Sequence, residues 1–409
     1  MRKYLAPLPL ILVPAFLLAC RQEATGLLEA SQTGDLSNPT ATRADADAEL
    51  IEACGKPASP DGGDSLRRQP YLQQLGTTST HVLWSSARGN SSPYLEVATP
   101  DGEVVDTIEA SKGASNGLQN AASWAVKVDG LEPDNIYCYS IFNGPDDALI
   151  EHVGFRTAPT QDSGAPARFI VLGDSGEGSE DQYALLEQLP TVPFDFMLHV
   201  GDMAYDSGTF AEFDKNFFQV YESLMKNFAV FPVPGNHEYE TDDAGPYRAV
   251  FDLPNNERWY SFDWGPVHFA AIDTEQIGDK QANWLKEDLA KSNQPWKIAF
   301  MHKPPYSSGS HGSEKAARRA FSPIFEKYGV SLVLTGHDHH YERTKPQNGV
   351  YYIVSGGGGA STYAVSESDF TAFAEQVIEF LYITADESQL SVHAIDGTGQ
   401  EFDQLVISK

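Results

Sequence analysis

Basic residues are scarce. The 409-residue chain carries 28 Lys and Arg against 57 Asp and Glu, a formal net charge of −29, and it has no long basic run. That field repels a nucleic-acid backbone and excludes binding to long DNA or RNA as the main activity. An anionic substrate must then be attracted locally, and bound cations are the obvious source. The remaining acidity serves solubility. Long apolar runs are missing too: beyond the N-terminal stretch, no segment is apolar enough to cross a bilayer. Cysteine is limited to Cys20, Cys54 and Cys138, none of them in a candidate metal motif, so no metal chemistry is assigned to them.

The N-terminus reads as a targeting segment. Arg2 and Lys3 precede an apolar run from Leu8 to Ala19, broken by Pro9 and Pro14 and too short for a comfortable membrane span. Residues 1–20 are therefore expected to be a signal peptide. The ending Leu17-Leu18-Ala19-Cys20 resembles a bacterial lipoprotein processing site with Cys20 lipidated. The other reading is an ordinary secretory signal with an incidental cysteine. The lipoprotein reading implies export and a membrane contact made only through the lipid anchor, in the periplasm or at the cell surface. Residues 21–64, rich in Ala, Ser, Thr, Asp, Gly and Pro, are expected to be a flexible tether. Cys54 and Cys138 remain as an even pair. Two readings stay open for them, a disulfide tying the tether to a folded domain or two unrelated thiols.

The folded body divides near residue 160. From residue 65, short alternating runs such as His81–Trp84, Tyr94–Val97, Ser123–Val128 and Ile136–Ser140 are separated by turn signals, including Asp101-Gly102 and Asn143-Gly144. That is the pattern of a small all-β sandwich. Gly130-Leu131-Glu132-Pro133 ahead of Tyr137 and Tyr139, with Phe155-Arg156-Thr157 closing the run, resembles a fibronectin type III-like domain over 65–160. It holds no cluster of acids, bases or ligands, and its expected role is packing or spacing.

Over 161–409 strand-like apolar runs alternate with helical stretches. Strands are expected at Ala167–Leu172, Phe194–Val200, Phe228–Val233, Val267–Ile272, Ile298–Phe300 and Ser331–Leu334. Helices are expected near Glu180–Gln188, Phe210–Lys226, Lys280–Lys291 and Glu314–Lys327, with further, antiparallel strands in the tail. The alternation predicts an α/β core around a buried, mixed or parallel sheet.

Five motifs follow these strands, and each ends in a metal-binding side chain. They are Leu-Gly-Asp174, Gly-Asp202-Met-Ala-Tyr205, Gly-Asn236-His237-Glu238, Met-His302 and Gly-His337-Asp338-His339. Ligands in open α/β sheets bind at the carboxyl ends of strands, so this placement gathers distant motifs on one rim. The glycine before each aspartate is expected to turn the chain and bring the carboxylate to a cation. Asn236 offers a neutral oxygen that adds no charge. His337 and His339, one residue apart in an irregular turn, can reach two different metals. Two carboxylates, a phenol, a carboxamide and three imidazoles exceed one zinc ion and suit two metals sharing a carboxylate.

In this order the motifs resemble the calcineurin-like metallophosphoesterase superfamily over roughly 165–360. Tyr205, three residues after Asp202, narrows the resemblance to the purple acid phosphatases. The resemblance implies a four-layer metallophosphoesterase β-sandwich flanked by helices, preceded by the small all-β sandwich domain. It also implies an acid phosphatase acting on small phosphate monoesters. Asp174, Tyr205 and His339 would hold Fe(III), Asp202 would bridge, and Asn236, His302 and His337 would hold a second divalent ion, iron, zinc or manganese. A metal-bound hydroxide would attack phosphorus in line. A phenol titrates near pH 10, so only a strongly charged cation keeps Tyr205 ionised.

His237, beside a ligand, is the candidate to contact phosphate or protonate the leaving oxygen, and His311 resembles the family's other substrate-contacting histidine. Relatives that carry two adjacent histidines there differ from this chain, where Gly312 follows. Asp338 and His340 are expected to support the ligands from behind, and His199 to be a core-strand residue or such a support rather than a ligand. Two alternatives accompany the monoesterase reading: a phosphodiesterase or nucleotide hydrolase on the same fold, and a catalytically silent surface lipoprotein that binds ligand.

Overall fold

The computed structural model describes residues 43–60, 65–87, 92–114, 117–145 and 147–409. The expected signal segment, Cys20 and the tether up to residue 42 lie outside the described residues. All described residues belong to one compact unit, Pro39–Lys409, and none of their helices is long and apolar enough to cross a membrane.

The tether expectation is corrected over its last part. Helix α1 (Ala48–Cys54) is folded, with Leu50 buried, and Cys54 is disulfide-bonded to Cys138, 84 residues away in sequence. Leu50 alone of its seven residues is buried, too little for a core-facing stripe, and the covalent bond supplies the anchorage instead.

Eight strands come next: β1 (Leu66–Gln73), β2 (Ser79–Ala87), β3 (Tyr94–Ala98), β4 (Val104–Glu109), β5 (Ser111–Lys112), β6 (Ala121–Asp129), β7 (Ile136–Gly144) and β8 (Asp147–Arg156). They form two four-stranded sheets, β1-β2-β6-β5 and β4-β3-β7-β8. Alternate residues point inward, so Val82, Trp84, Leu95, Val97, Val126, Val128, Tyr139 and Ile141 bury on the inner faces.

The sandwich is docked on the larger C-terminal core, largely through β1. The Tyr71 hydroxyl donates to the Val250 carbonyl at 2.7 Å, and Gln73 Nε2 donates to the Val230 carbonyl at 3.2 Å. Arg68, 5 % exposed, lies 3.8 Å over the Phe218 ring and reaches Asp214 at 3.3 Å.

The C-terminal core starts with β9 (Ala167–Leu172), α2 (Glu180–Gln188) and β10 (Phe196–His199). Ser179 caps α2 by accepting from the Gln182 N–H, and Glu180 and Asp181 complement its dipole. Next, α3 (Phe210–Glu212) runs through a π-helical stretch, Phe213–Phe218, into α4 (Gln219–Met225), and β11 (Ala229–Pro232) comes after it. Short α5 (Asn236–Tyr239) and α6 (Gly245–Val250) precede β12 (Tyr260–Trp264), β13 (Val267–Ile272), α7 (Asp279–Lys291), β14 (Trp296–Met301), α8 (Lys315–Tyr328) and β15 (Leu332–Thr335). The tail is all strand: β16 (Tyr341–Thr344), β17 (Tyr351–Ser355), β18 (Thr371–Glu375), β19 (Glu379–Ala385), β20 (Gln389–Asp396) and β21 (Glu401–Ser408).

These strands form two mixed sheets, β11-β10-β9-β19-β20-β21 and β12-β13-β14-β15-β17-β16-β18. Aromatic rings join them face to face. Phe231 stacks on Phe262 at 3.8 Å, and Phe169 and Phe196 meet Phe269 edge-on at 5.1 and 5.4 Å. Each such pair contributes roughly 0.5–1.5 kcal/mol beyond its buried area. The period of two explains why β13 to β15 are buried throughout. Phe269, Phe300 and Leu334 face the inter-sheet core, while Ala270, Ile272, Ala299, Met301 and Val333 pack under α7 and α8 through Leu285, Leu289, Phe321 and Phe325. The result is a layered sandwich of two sheets flanked by helices, as the resemblance implies.

One ion-pair cluster on this scaffold makes stability depend on pH. His268 Nδ1 lies 2.6 Å from Asp263 and its Nε2 lies 2.9 Å from Asp288. Burial works against its charge, yet the two carboxylates prevail and push the imidazole up to about 9. A raised folded-state pKa gives stability that is complete below the unfolded value and disappears as pH rises through the folded one. Stability is therefore expected to fall between about pH 6.5 and pH 9 by up to roughly 3 kcal/mol. Urea denaturation across that range checks this, and His268→Gln should flatten the slope.

Candidate metal centre

The ligand motifs meet at the carboxyl ends of five strands. Asp174 follows β9, Asp202 follows β10, Asn236 follows β11, His302 follows β14, and His337 and His339 follow β15. The local turn differs from expectation at Gly173. There the left-handed residue is Asp174 itself, at φ 57°; in the second motif both Gly201, at φ 100°, and Asp202, at φ 55°, have positive φ, and the two aspartate conformations aim their carboxylates inward. Aspartate tolerates this conformation better than most side chains. Gly235 is required by space, because a Cβ there would lie 2.1 Å from Asp202 Oδ1.

Two groups of acceptors converge around Asp202. On one side His302 Nε2 lies 3.1 Å from Asp202 Oδ2, 3.1 Å from Asn236 Oδ1 and 3.2 Å from His337 Nδ1. On the other side the Tyr205 hydroxyl lies 3.3 Å from Asp174 Oδ1, 3.3 Å from Asp202 Oδ2 and 3.1 Å from His339 Nε2. Asp202 Oδ2 takes part in both groups. All seven candidate ligands therefore sit in one constellation, four of them buried and Asn236, His337 and His339 partly so, and Asp202, His302 and His337 offer atoms within 4.8 Å of one another.

The donor set fits cations. His302 Nδ1 sits 2.9 Å from the Val200 carbonyl and His339 Nδ1 sits 3.0 Å from the Ser361 carbonyl. Each Nδ1 therefore carries the proton and donates it outward, leaving an Nε2 lone pair facing the centre. Lone pairs of His302, Asn236, His337 and Asp202 then oppose one another unless a proton or a cation sits between them, an arrangement that a bound cation resolves.

The protonation tendencies of the metal-free site agree. Burial disfavours a charged His302, yet the adjoining Asp202 carboxylate outweighs it and pushes the imidazole up to about 10, so a proton is drawn to where a cation fits. Burial, then the charges of His302 and His311, lower His337 to about 2, keeping its lone pair available. Burial, reinforced by the charges on Asp174 and Asp202, holds the Tyr205 phenol well above its ordinary value. Without a strong cation that phenol stays protonated.

Supporting residues fix this geometry. Glu238 is fully buried and accepts from the backbone N–H groups of Asp202, Met203 and Gly235 at 2.8–2.9 Å, clamping two ligand loops together. Burial first, then the Asp202 charge, raises its carboxyl to about 7. This role is not evident from the motif that contains Glu238, although a Glu three residues after the Gly235 cap is a readable capping signal. His199 accepts from the Gly201 N–H at 3.3 Å and pairs with Ser175 Oγ at 2.9 Å, and burial lowers its pKa to about 3, as suits a neutral core residue. His340 is fully buried with no hydrogen-bond partner on either ring nitrogen, and Glu342 lies 3.6 Å away.

His237 and His311 flank the centre. The Asp206 carbonyl lies 2.5 Å from His237 Nδ1, which donates to it, and His237 Nε2 lies 3.9 Å from Asp202 Oδ2. The half-exposed His311 ring lies 4.4 Å from the His337 ring and is oriented by Asp338, which accepts from its backbone N–H at 2.9 Å and contacts its Nδ1 at 3.0 Å. Tyr363 is a participant that the sequence did not reveal. Its hydroxyl lies 3.0 Å from His311 Nδ1 and 3.1 Å from the His337 carbonyl, and its ring stacks on His339 at 4.9 Å. The nearest usable signal was the glycine run 356–359, which lets this loop approach the Asp174 strand, with the Gly358 N–H donating to the Gly173 carbonyl at 2.9 Å.

Residues 167–341 match the family model described as calcineurin-like phosphoesterase, and the chain carries a domain of that class. Purple acid phosphatases are among its homologues. It is 27 % identical over 345 residues to Purple acid phosphatase 15 of Arabidopsis thaliana, covering 72 % of this chain and 62 % of that protein. The chain thus spans less than two thirds of that relative's length. It is 28 % identical over 322 residues to a nucleotide pyrophosphatase/phosphodiesterase of Hordeum vulgare, covering 62 % of this chain and 86 % of that one. The purple acid phosphatase PPD1 from yellow lupin (Lupinus luteus) seeds shares the fold, with a TM-score of 0.74 at 23 % identity over 83 % of this chain and 74 % of that one.

Proposed function

We propose that the chain hydrolyses phosphate monoesters at a dinuclear Fe(III)–M(II) centre, M being iron, zinc or manganese. The observation carrying this reading is the pair of acceptor clusters that share Asp202 Oδ2, one with a phenol and one without. Asp174, Tyr205 and His339 would hold the ferric ion, Asn236, His302 and His337 the divalent ion, and Asp202 both. When bound, the two cations supply Lewis acidity toward phosphoryl oxygen and lower the pKa of water.

The protein's own groups do the rest. His237 is held by the Asp206 carbonyl with its Nε2 turned toward the centre, where an Nε2–H would be presented to the leaving oxygen. His311, fixed by Asp338 and Tyr363 on the opposite flank, presents a second donor to the phosphate. Glu238 keeps the Asp202 and Asn236 loops in register without touching substrate.

His237→Ala is expected to slow hydrolysis of an alkyl phosphate by roughly 100-fold, with a much smaller loss on nitrophenyl phosphate, whose leaving group needs no proton. Equal losses on both esters would remove His237 from proton transfer. The barley relative's name favours a second reading, hydrolysis of a phosphodiester or nucleotide pyrophosphate. Steady-state rates on a monoester, a diester and a nucleoside triphosphate separate the two, and a kcat/KM higher for the diester would overturn the monoesterase reading.

A further inference from the structure

Two irregular stretches carry side chains to one flank of the centre. Residues 302–314, between β14 and α8, bring His311, and residues 356–370, between β17 and β18, bring Tyr363. The tips meet where the Tyr363 hydroxyl lies 3.0 Å from His311 Nδ1. Their bases are joined by one side chain, Glu342 of β16, which is fully buried.

Glu342 Oε2 accepts from the Ser308 N–H at 2.6 Å. Its Oε1 accepts from the hydroxyls of Ser308 at 2.8 Å and Thr371 at 2.6 Å. A carboxylate only accepts, so both hydroxyls turn toward it. The Thr371 oxygen is then left to accept from the Ser368 N–H at 2.9 Å. Ser366 closes the joint, donating to the Ser308 carbonyl from its N–H at 3.3 Å and its hydroxyl at 2.8 Å.

The chain from Ser308 to His311 has little slack. A Cβ on Gly309 would lie 2.5 Å from both Asp338 Cγ and His340 Cε1, so the backbone is pressed against those side chains. Asp338 accepts from the His311 N–H at 2.9 Å, and the Ser307 hydroxyl, which donates to Asp338, accepts from the Gly309 N–H at 3.0 Å. A shift of Ser308 is therefore passed on to His311. Resting on the phosphatase reading of the adjoining centre, we propose that Glu342 is a positioning residue: it fixes the His311 and Tyr363 loops against each other and so aims His311 at the phosphate.

The test is a double-variant cycle read by calorimetric titration of the metal-loaded protein with inorganic phosphate, which requires no turnover. His311→Ala is expected to weaken phosphate binding about tenfold, the loss of one hydrogen bond to a charged group. Glu342→Gln keeps the volume but sets an amide N–H2 against a donor, and should weaken binding about fivefold with metal content unchanged. Added to His311→Ala, it should cost less than about twofold more, because both act through one contact. Thr371→Val, which removes a single donor to Glu342, should give a smaller loss that likewise vanishes in the His311→Ala background. A general packing defect would instead persist in that background. Parental affinity in both Glu342→Gln and Thr371→Val, or losses that multiply with that of His311→Ala, overturn the positioning role. The coupled loss in a protein that hydrolyses no phosphomonoester would support that role and sink the phosphatase reading alone.

Discussion

Asp202→Ala is expected to lower kcat/KM on a phosphomonoester by roughly 1,000-fold or more and to reduce bound metal below two per chain. Asp202 Oδ2 lies 3.1 Å from His302 Nε2 and 3.3 Å from the Tyr205 hydroxyl, so it touches both ligand clusters. Its Oδ1 accepts from the His237 N–H at 3.0 Å, which couples the candidate proton donor to the same carboxylate. Removing it takes away the charge that offsets repulsion between two cations and the bond that positions His237. Asp202→Asn keeps the volume and the contact to His237 while removing the charge. If neutralisation dominates, it should lose nearly as much activity. Metal analysis alongside steady-state kinetics checks both variants, and near-parental activity in Asp202→Asn would contradict the bridging role.

Tyr205→Phe should remove any tyrosinate-to-iron absorption and lower kcat/KM by about 10- to 100-fold, the range typical when one group tuning a metal site is lost. The substitution retains the ring, which packs 4.3 Å from His237, so the fold and the candidate proton donor are expected to stay in place. It removes the one oxygen that lies within 3.3 Å of Asp174, Asp202 and His339 together. Because burial and the neighbouring carboxylates hold the phenol protonated in the free protein, metal uptake at this position must release a proton. Uptake of iron should therefore weaken as pH falls in the parent protein, and less steeply in Tyr205→Phe. Spectroscopic titration with iron at several pH values checks this.

Much of the convergence of candidate ligands was legible because most of them are announced locally. An apolar run ending in Gly-Asp, Gly-Asn-His or Gly-His-Asp-His names both the strand and the group at its end, and the carboxyl-end rule supplies the convergence. Strands such as Ala167–Leu172 and Val267–Ile272 were clear for the same reason, being short, continuous and apolar.

Other features depend on distant partners. β1 contains Arg67, Arg68 and Pro70, a poor strand signal, and it is stabilised by pairing with β2 and by docking on β11 and the π-helix. Helix α1 has one buried leucine and is held by a cysteine 84 residues away, a pairing that two open readings of the sequence could not decide. The π-helical turn has no local signature, although it sets Asn216 against Tyr205. Tyr363 lies outside any motif in an irregular stretch, and only the folded glycine run reveals that it reaches His311.

The most direct test of the account is the visible absorption spectrum of the purified protein, recorded with its metal content and repeated on Tyr205→Phe. The account predicts two metal ions per chain, at least one of them iron, and a visible band that disappears with the phenol. A protein that binds two metals and hydrolyses phosphomonoesters yet shows no such band would contradict the ferric–tyrosinate centre.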